Sequence, residues 1–326
     1  MRNMLITSLS CLLMASGLSA KTTIPNDNLD TFLKEMESTI PGVMDGAQKY
    51  IRWIDEPDQA SDFVVLYFHG YSSSRQEIDP VPPLVADALQ ANLFYTRFTG
   101  HGIKNGGIAF KGVTFDDWIA DAEEAMEIAR IIGKRVVILA HSNGAVMAMH
   151  LMKQYPEEIV AGLFVAPNFK PKNAAAGLLT TNWGYKLGTM IYKDSLYSMS
   201  DSKDYQIPAG LFPYVWSKSQ HLDATRALAI GVKQLQSHPF TQMRVPLFIV
   251  ASEHDQVVST AHTKKIFAKY GIDHRTLKEL HLENHTNTHG EHTITGYYKA
   301  PATSQAFADA MIAFIHRATS TTATHE

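Results

Sequence analysis

Short apolar runs rich in β-branched and aromatic residues alternate along this chain with longer stretches whose apolar residues recur at helical spacing. That alternation constrains the fold more than any other feature, because it calls for βαβ units and a mostly parallel sheet. "FVVLYFHG" at 63–70 and "RVVILA" at 135–140 are nearly continuous apolar runs, as strands covered on both faces require. "NLFYTRFTGHG" (92–102), "IVAGLFVAP" (159–167), "VPLFIVAS" (245–252) and "RTLKELHLENH" (275–285) supply further strands, the first closed by a glycine-rich turn. Helical patterns fall between them at 114–133, at "STAHTKKIFAKYG" and at 304–318. Between the first two strands three prolines precede a helix expected to run through Leu84–Ala91.

A chain of 326 residues, 45% hydrophobic and 19% charged, can bury a large core, which excludes a disordered or fibrous protein. A net charge of -3, with no long basic run, excludes nucleic acid as a partner. The first twenty residues join basic Arg2 to an apolar stretch and a small-residue end at Ser19-Ala20, the layout of a secretory signal, so an exported, periplasmic or secreted protein is expected. The one cysteine, Cys11, lies in that segment, leaving the mature chain without a disulfide or a thiol nucleophile.

The span 168–243 breaks the alternation. Its "TTNWGYKLGTMIYKDSLYSMS" and "GLFPYVWSKS" are rich in aromatic residues, methionine and glycine, and a connection this long is functional or folded on its own. The expected organisation is a signal at 1–20, a core at 21–167 and 244–318, a helical cap at 168–243 over the carboxyl edge of the sheet, and a fraying tail at 319–326.

The junction "VVILAHSNGAVMAMH" (136–150) carries the chemistry. A strand running straight into a helix through x-Ser-x-Gly forms a tight elbow that lifts the Ser142 hydroxyl above the sheet, at a helix N-terminus that favours developing negative charge. Gly144 is one of the small residues the close strand–helix approach needs, and Ala140 is the other. Alone, such a serine is more simply a helix cap. As a nucleophile it needs a base held by an acid, in the chain order Ser, acid, His. Asp255, in the turn after a late strand, is the candidate acid, with Glu253 as a weaker substitute. His285, at the end of the following strand, is the candidate base and His289 the reserve. His285, His289 and His292 could also suggest a metal site, but Gly290 and the neighbouring threonines indicate a loop without an H-E-x-x-H pattern. Two backbone donors for an oxyanion are expected at Asn143 and at Tyr71 in "HGYSSS".

The pieces "FHGYSSS", "RFTGHG", "FDDWIADAEEAM", "LAHSNGAV", "ASEHDQVV" and "LKELHLENH", in this order, resemble the α/β-hydrolase superfamily in its monoacylglycerol lipase and lysophospholipase-like branch, also described as serine-aminopeptidase-like. The resemblance implies an α/β-hydrolase fold, a mostly parallel doubly wound sheet with an inserted helical cap. It implies hydrolysis of a carboxylic ester through Ser142, Asp255 and His285 by way of an acyl-enzyme, with no metal or organic cofactor. The substrate would be a small acyl ester with an apolar chain, compatible with transient contact with a membrane surface; the oligomeric state is left open. Two alternatives stay open: cleavage of a short peptide's amide at the same site, and an exported binding protein that kept the fold without catalysis.

Overall fold

The computed structural model describes residues 23–104, 106–198, 211–212, 215–283 and 291–322. The expected signal at 1–20 and the end of the tail, with His285 and His289, lie outside them. A seven-stranded sheet in the order β1-β3-β2-β4-β5-β8-β9 forms the centre, parallel throughout except for β1 at one edge. Its strands are β1 (Tyr50–Arg52), β2 (Ser61–Phe68), β3 (Asn92–Tyr95), β4 (Gly133–His141), β5 (Ile159–Val165), β8 (Leu247–Ser252) and β9 (Lys278–Glu283). Strands β2, β4, β5 and β8 are the nearly unbroken apolar runs of the sequence, and their inner residues are buried on both faces.

Helices cover each face. One apolar cluster joins the sheet to α1 (Leu29–Ser38), α3 (Phe115–Ile132), α4 (Gly144–Gln154), α6 (Leu222–Leu235) and α7 (Thr260–Lys269). The other joins it to α2 (Val81–Ala88) and α8 (Ser304–Thr322). Helix α2 starts three residues before the helix expected from the sequence, taking Pro82 and Pro83 into its first turn. Proline is tolerated there because the first N–H groups of a helix have no intrahelical acceptor. Helix α3 opens with a capping box: Thr114 Oγ1 accepts from Asp117 N–H at 3.2 Å while the Asp117 carboxylate accepts from Thr114 N–H at 2.8 Å.

Between β5 and β8 the chain forms 3₁₀ turns, α5 (Asn182–Ile191), a two-stranded antiparallel ribbon of β6 (Leu196–Ser198) and β7 (Ser219–His221), and then α6. Helix α6 buries Ala224, Ala227, Leu228, Val232 and Leu235 in the main apolar cluster, so it belongs to a layer flanking the sheet. The aromatic segments ahead of it carry most of the remaining connection.

Gly144 shows why the elbow admits so few residues. A Cβ at this position would stand 2.2 Å from the Phe68 carbonyl oxygen and 2.8 Å from that of His69, both backbone atoms of the neighbouring strand. Gly144→Ala is therefore expected to cost about 3 kcal/mol through overpacking, seen as a lower urea midpoint with an unchanged slope. Ala140, by contrast, lies within β4 beside Phe68 of β2 and Phe164 of β5, where its methyl is part of the core.

Candidate active site

Ser142 stands where β4 turns into α4, with φ of 50°. A non-glycine residue in the left-handed region carries about 1–2 kcal/mol of strain, which the surrounding structure must hold. Here Ser142 N–H donates to Val165 O at 3.0 Å, and Ser142 O accepts from Asn168 N–H at 2.9 Å. Both bonds tie the elbow to the end of β5. The side chain is nearly covered, yet its oxygen meets a ring nitrogen: Ser142 Oγ is 2.8 Å from His292 Nε2.

His292 Nδ1 in turn lies 2.7 Å from Asp255 Oδ2. Asp255, in the turn after β8, is fully buried, and its other oxygen accepts the backbone N–H groups of Val257 at 2.7 Å and Val258 at 2.8 Å. An acceptor-only carboxylate opposite Nδ1 selects the tautomer with its proton there, leaving Nε2 to receive the serine proton. The three groups form an unbroken acid–imidazole–hydroxyl chain.

The structure brings Ser142 and Asp255 to one imidazole, that of His292, where the sequence offers His285 with His289 in reserve; both of those lie outside the described residues. With both ring nitrogens of His292 taken by Ser142 and Asp255, the three-histidine metal grouping also loses a member. The substitute acid Glu253 is exposed and ion-paired with Lys264, away from the chain. Loop contacts explain why residue 292 is the one delivered. Ser252 Oγ, at the end of β8, donates to Glu291 Oε2 at 2.6 Å. Thr303 Oγ1 donates to Ile294 O at 2.7 Å. Tyr297 N–H donates to Asp79 O at 2.6 Å.

The loop after β2 borders the serine. His69 Nε2 accepts from Phe98 N–H at 3.2 Å, and its Nδ1 pairs with Gly70 O at 2.9 Å. Burial lowers the His69 pKa to about 4, which suits a neutral ring that accepts at one nitrogen and donates at the other. Among the described residues, neither Tyr71 N–H nor Asn143 N–H has a protein acceptor. The Tyr71 hydroxyl pairs with Thr225 Oγ1 at 3.1 Å, and its ring packs against His101, Phe110 and Trp118. The "RFTGHG" and "FDDWIAD" segments are joined here: Trp118 Nε1–H donates to Thr99 O at 3.0 Å, and Asp121 accepts Thr99 N–H at 2.6 Å.

Beneath the site lies a carboxylate that sequence reasoning missed. Glu77 is buried, with Oε2 2.8 Å from His141 Nδ1 and 2.7 Å from the Gly70 N–H that it accepts. Burial pushes the Glu77 carboxyl up, but the adjoining His141 charge and the Gly70 bond outweigh it and hold the pKa at about 2. Burial pushes His141 down, and the Glu77 charge reverses that to leave it raised. The carboxylate and the imidazole thus face each other directly before the nucleophile. A lone glutamate in "SSSRQEIDP" carries no periodic or motif signal for such a place.

A family model described as "Serine aminopeptidase, S33" (Hydrolase_4) matches residues 59–291. Comparison with curated protein sequences gives no match. Among solved structures, a chain from work on the metagenome-derived lipolytic enzymes LipS and LipT superposes with a TM-score of 0.65 at 19% identity, covering 84% of this chain and 99% of that one. A monoacylglycerol lipase from Paleococcus ferrophilus gives 0.58 at 12% identity, with coverage of 83% and 99%. A soluble variant of monoglyceride lipase from Saccharomyces cerevisiae gives 0.57 at 13%, with coverage of 84% and 92%. At these identities the superpositions establish the fold, and the family match covers most of the chain: the protein is an α/β-hydrolase and belongs to the serine aminopeptidase S33 (Hydrolase_4) family.

Proposed function

We propose that the protein is a serine esterase of the lipase type, cleaving a carboxylic ester with an apolar acyl chain. The observation that carries this reading is the chain from Asp255 through His292 to Ser142 Oγ, with contacts of 2.7 and 2.8 Å. In the first step His292 takes the serine proton while Oγ attacks the ester carbonyl, and Asp255 steadies the imidazolium. The negative oxygen is received by the N–H groups of Tyr71 and Asn143. His292 then returns the proton to the leaving alcohol, and water repeats the sequence on the acyl-enzyme to release the acid.

Support for an apolar substrate comes from the segment ahead of α6. Helix α5 exposes Trp183, Leu187, Met190 and Ile191, with Met190 82% exposed, bordered by Lys186 and Lys193. That mixture suits passing contact with a lipid surface, consistent with an exported enzyme whose signal is residues 1–20. The likeness to lipolytic enzymes and monoacylglycerol lipases points the same way. The family's description as serine aminopeptidases favours a second reading, in which the same three groups cleave a short peptide's amide.

The test is a panel of p-nitrophenyl esters graded by acyl length, assayed beside matched amides on the chain beginning at Lys21. The expected result is ester turnover exceeding amide turnover at least about a hundred-fold in kcat/KM, a difference of about 2.7 kcal/mol in barrier. Turnover of the amides alone would replace the esterase reading with the peptidase one.

A further inference from the structure

Glu77 touches three separate parts of the site through one carboxylate. Its Oε2 accepts from Gly70 N–H at 2.7 Å and stands 2.8 Å from His141 Nδ1. Its Oε1 accepts from Trp216 Nε1–H at 3.1 Å. Each partner leads to a different element. Gly70 precedes Tyr71, a proposed oxyanion donor. His141 ends β4 immediately before Ser142, and its Nε2 is 3.4 Å from the carbonyl oxygen of His292. Trp216 belongs to the segment between α5 and α6, where the adjacent Ser217 N–H donates to Ser72 O at 2.7 Å.

The fit around the carboxylate is close. A Cβ on Gly70 would stand 3.0 Å from both Glu77 oxygens and 3.1 Å from His141 Nδ1, so a larger residue there would press on the carboxylate and the ring. Glu77 holds the Gly70 N–H while the Gly70 carbonyl oxygen accepts from Ser73 N–H at 3.3 Å, so the peptides on both sides of Gly70 are fixed and the Tyr71 N–H remains available to an incoming oxygen. The indole of Trp216 is held independently by an edge contact with Tyr298, ring centroids 5.8 Å apart, and by Lys299 Nζ 4.8 Å from its ring centre. Tyr298 OH also donates to Phe212 O at 3.0 Å. The indole Nε1–H is thus brought to Glu77 by a segment with its own anchors.

We propose that Glu77 is a positioning residue that sets the oxyanion donor at Tyr71 and couples it, through Trp216, to the seating of the segment that crosses the site. The inference rests on the esterase reading above. Glu77 touches no reacting atom. A buried carboxylate that accepts from Gly70 N–H and Trp216 Nε1–H, with the His141 imidazole 2.8 Å away, is a strong organiser, because hydrogen bonds to an ionised acceptor are charge-assisted. Trp216 is already bonded to Glu77 at 3.1 Å, so the donor geometry needed in the transition state is set before substrate arrives.

The test compares Glu77→Gln, Trp216→Phe and the double variant with the native protein, using the best ester of the panel. Removing an oxyanion donor outright costs about 100- to 1,000-fold in kcat; misplacing one should cost less, so Glu77→Gln is expected to lower kcat about 30-fold with KM within about three-fold. A trifluoromethyl ketone, whose serine adduct carries the oxyanion, should lose affinity by a similar factor. A merely structural role would lower the melting temperature without moving these two quantities together. Trp216→Phe keeps the ring contacts and loses the N–H, and should lower kcat about five-fold in the native background but not in Glu77→Gln.

Native kcat in Glu77→Gln, or losses that multiply in the double variant, would overturn the proposal. If Glu77→Gln folds too poorly to assay, Trp216→Phe decides alone: a five-fold loss of kcat at an unchanged melting temperature supports it, and kcat within two-fold overturns it. Ser142→Ala is run alongside. Near-native turnover in that variant would remove the esterase reading itself, whereas a Ser142→Ala reduced about a million-fold beside a fully active Glu77→Gln removes only the role of Glu77.

Discussion

Ser142→Ala is expected to lower ester turnover about a million-fold in kcat, the loss seen when a triad nucleophile is removed from a serine hydrolase. Alanine leaves the elbow in place: the backbone bonds from Ser142 N–H to Val165 O and from Asn168 N–H to Ser142 O do not involve the hydroxyl. The variant should therefore fold normally and still bind substrate. What disappears is the oxygen 2.8 Å from His292 Nε2. Residual turnover should exceed the rate in water by about a thousand-fold or more, from the two backbone donors and binding alone. Circular dichroism establishes folding and steady-state assay of the best ester gives kcat.

His292→Ala is the second large effect, again about a million-fold in kcat, because a serine hydroxyl without its base is a poor nucleophile. Its counterparts sharpen the result: His285→Ala and His289→Ala are expected to stay within a few-fold of native. His292→Ala also leaves Asp255 Oδ2 without its partner, costing about 1–3 kcal/mol for an unsatisfied buried acceptor. Melting temperature is therefore measured for all three variants. A stability loss confined to His292→Ala, together with the activity loss, fits an imidazole that serves Asp255 and Ser142 at once.

The pattern of legible and illegible features follows from which interactions are local. Strands β2, β4, β5 and β8 declare themselves because central parallel strands are covered on both faces and must be apolar throughout. Ser142 and Asp255 are readable for a related reason: each lies in the turn immediately after such a strand, so finding the strand locates the residue. The histidine comes after β9 in a stretch of sequence that offers 285, 289 and 292 alike. The place of His292 is set by Ser252 on Glu291 and Thr303 on Ile294, contacts between residues that carry no mark of pairing in the sequence.

The same limit applies elsewhere. Helix α2 begins earlier than its proline-rich start suggested, because prolines fit a first turn. Helix α6 reads as part of a long interruption, and only its packing on the central cluster assigns it to the layer flanking the sheet. Glu77 is the extreme case: its surroundings come from the end of β2, the end of β4 and the segment before β7, so nothing near it in sequence foretells burial or charge.

Labelling of the folded protein with a fluorophosphonate, followed by peptide mapping, probes the acid–imidazole–hydroxyl chain most directly, since the reagent reports serine activation without requiring the natural substrate. The account predicts modification at Ser142 in the native protein and at an equal rate in His285→Ala, with loss of labelling in His292→Ala. Undiminished labelling of Ser142 in His292→Ala, or its loss in His285→Ala, would contradict it.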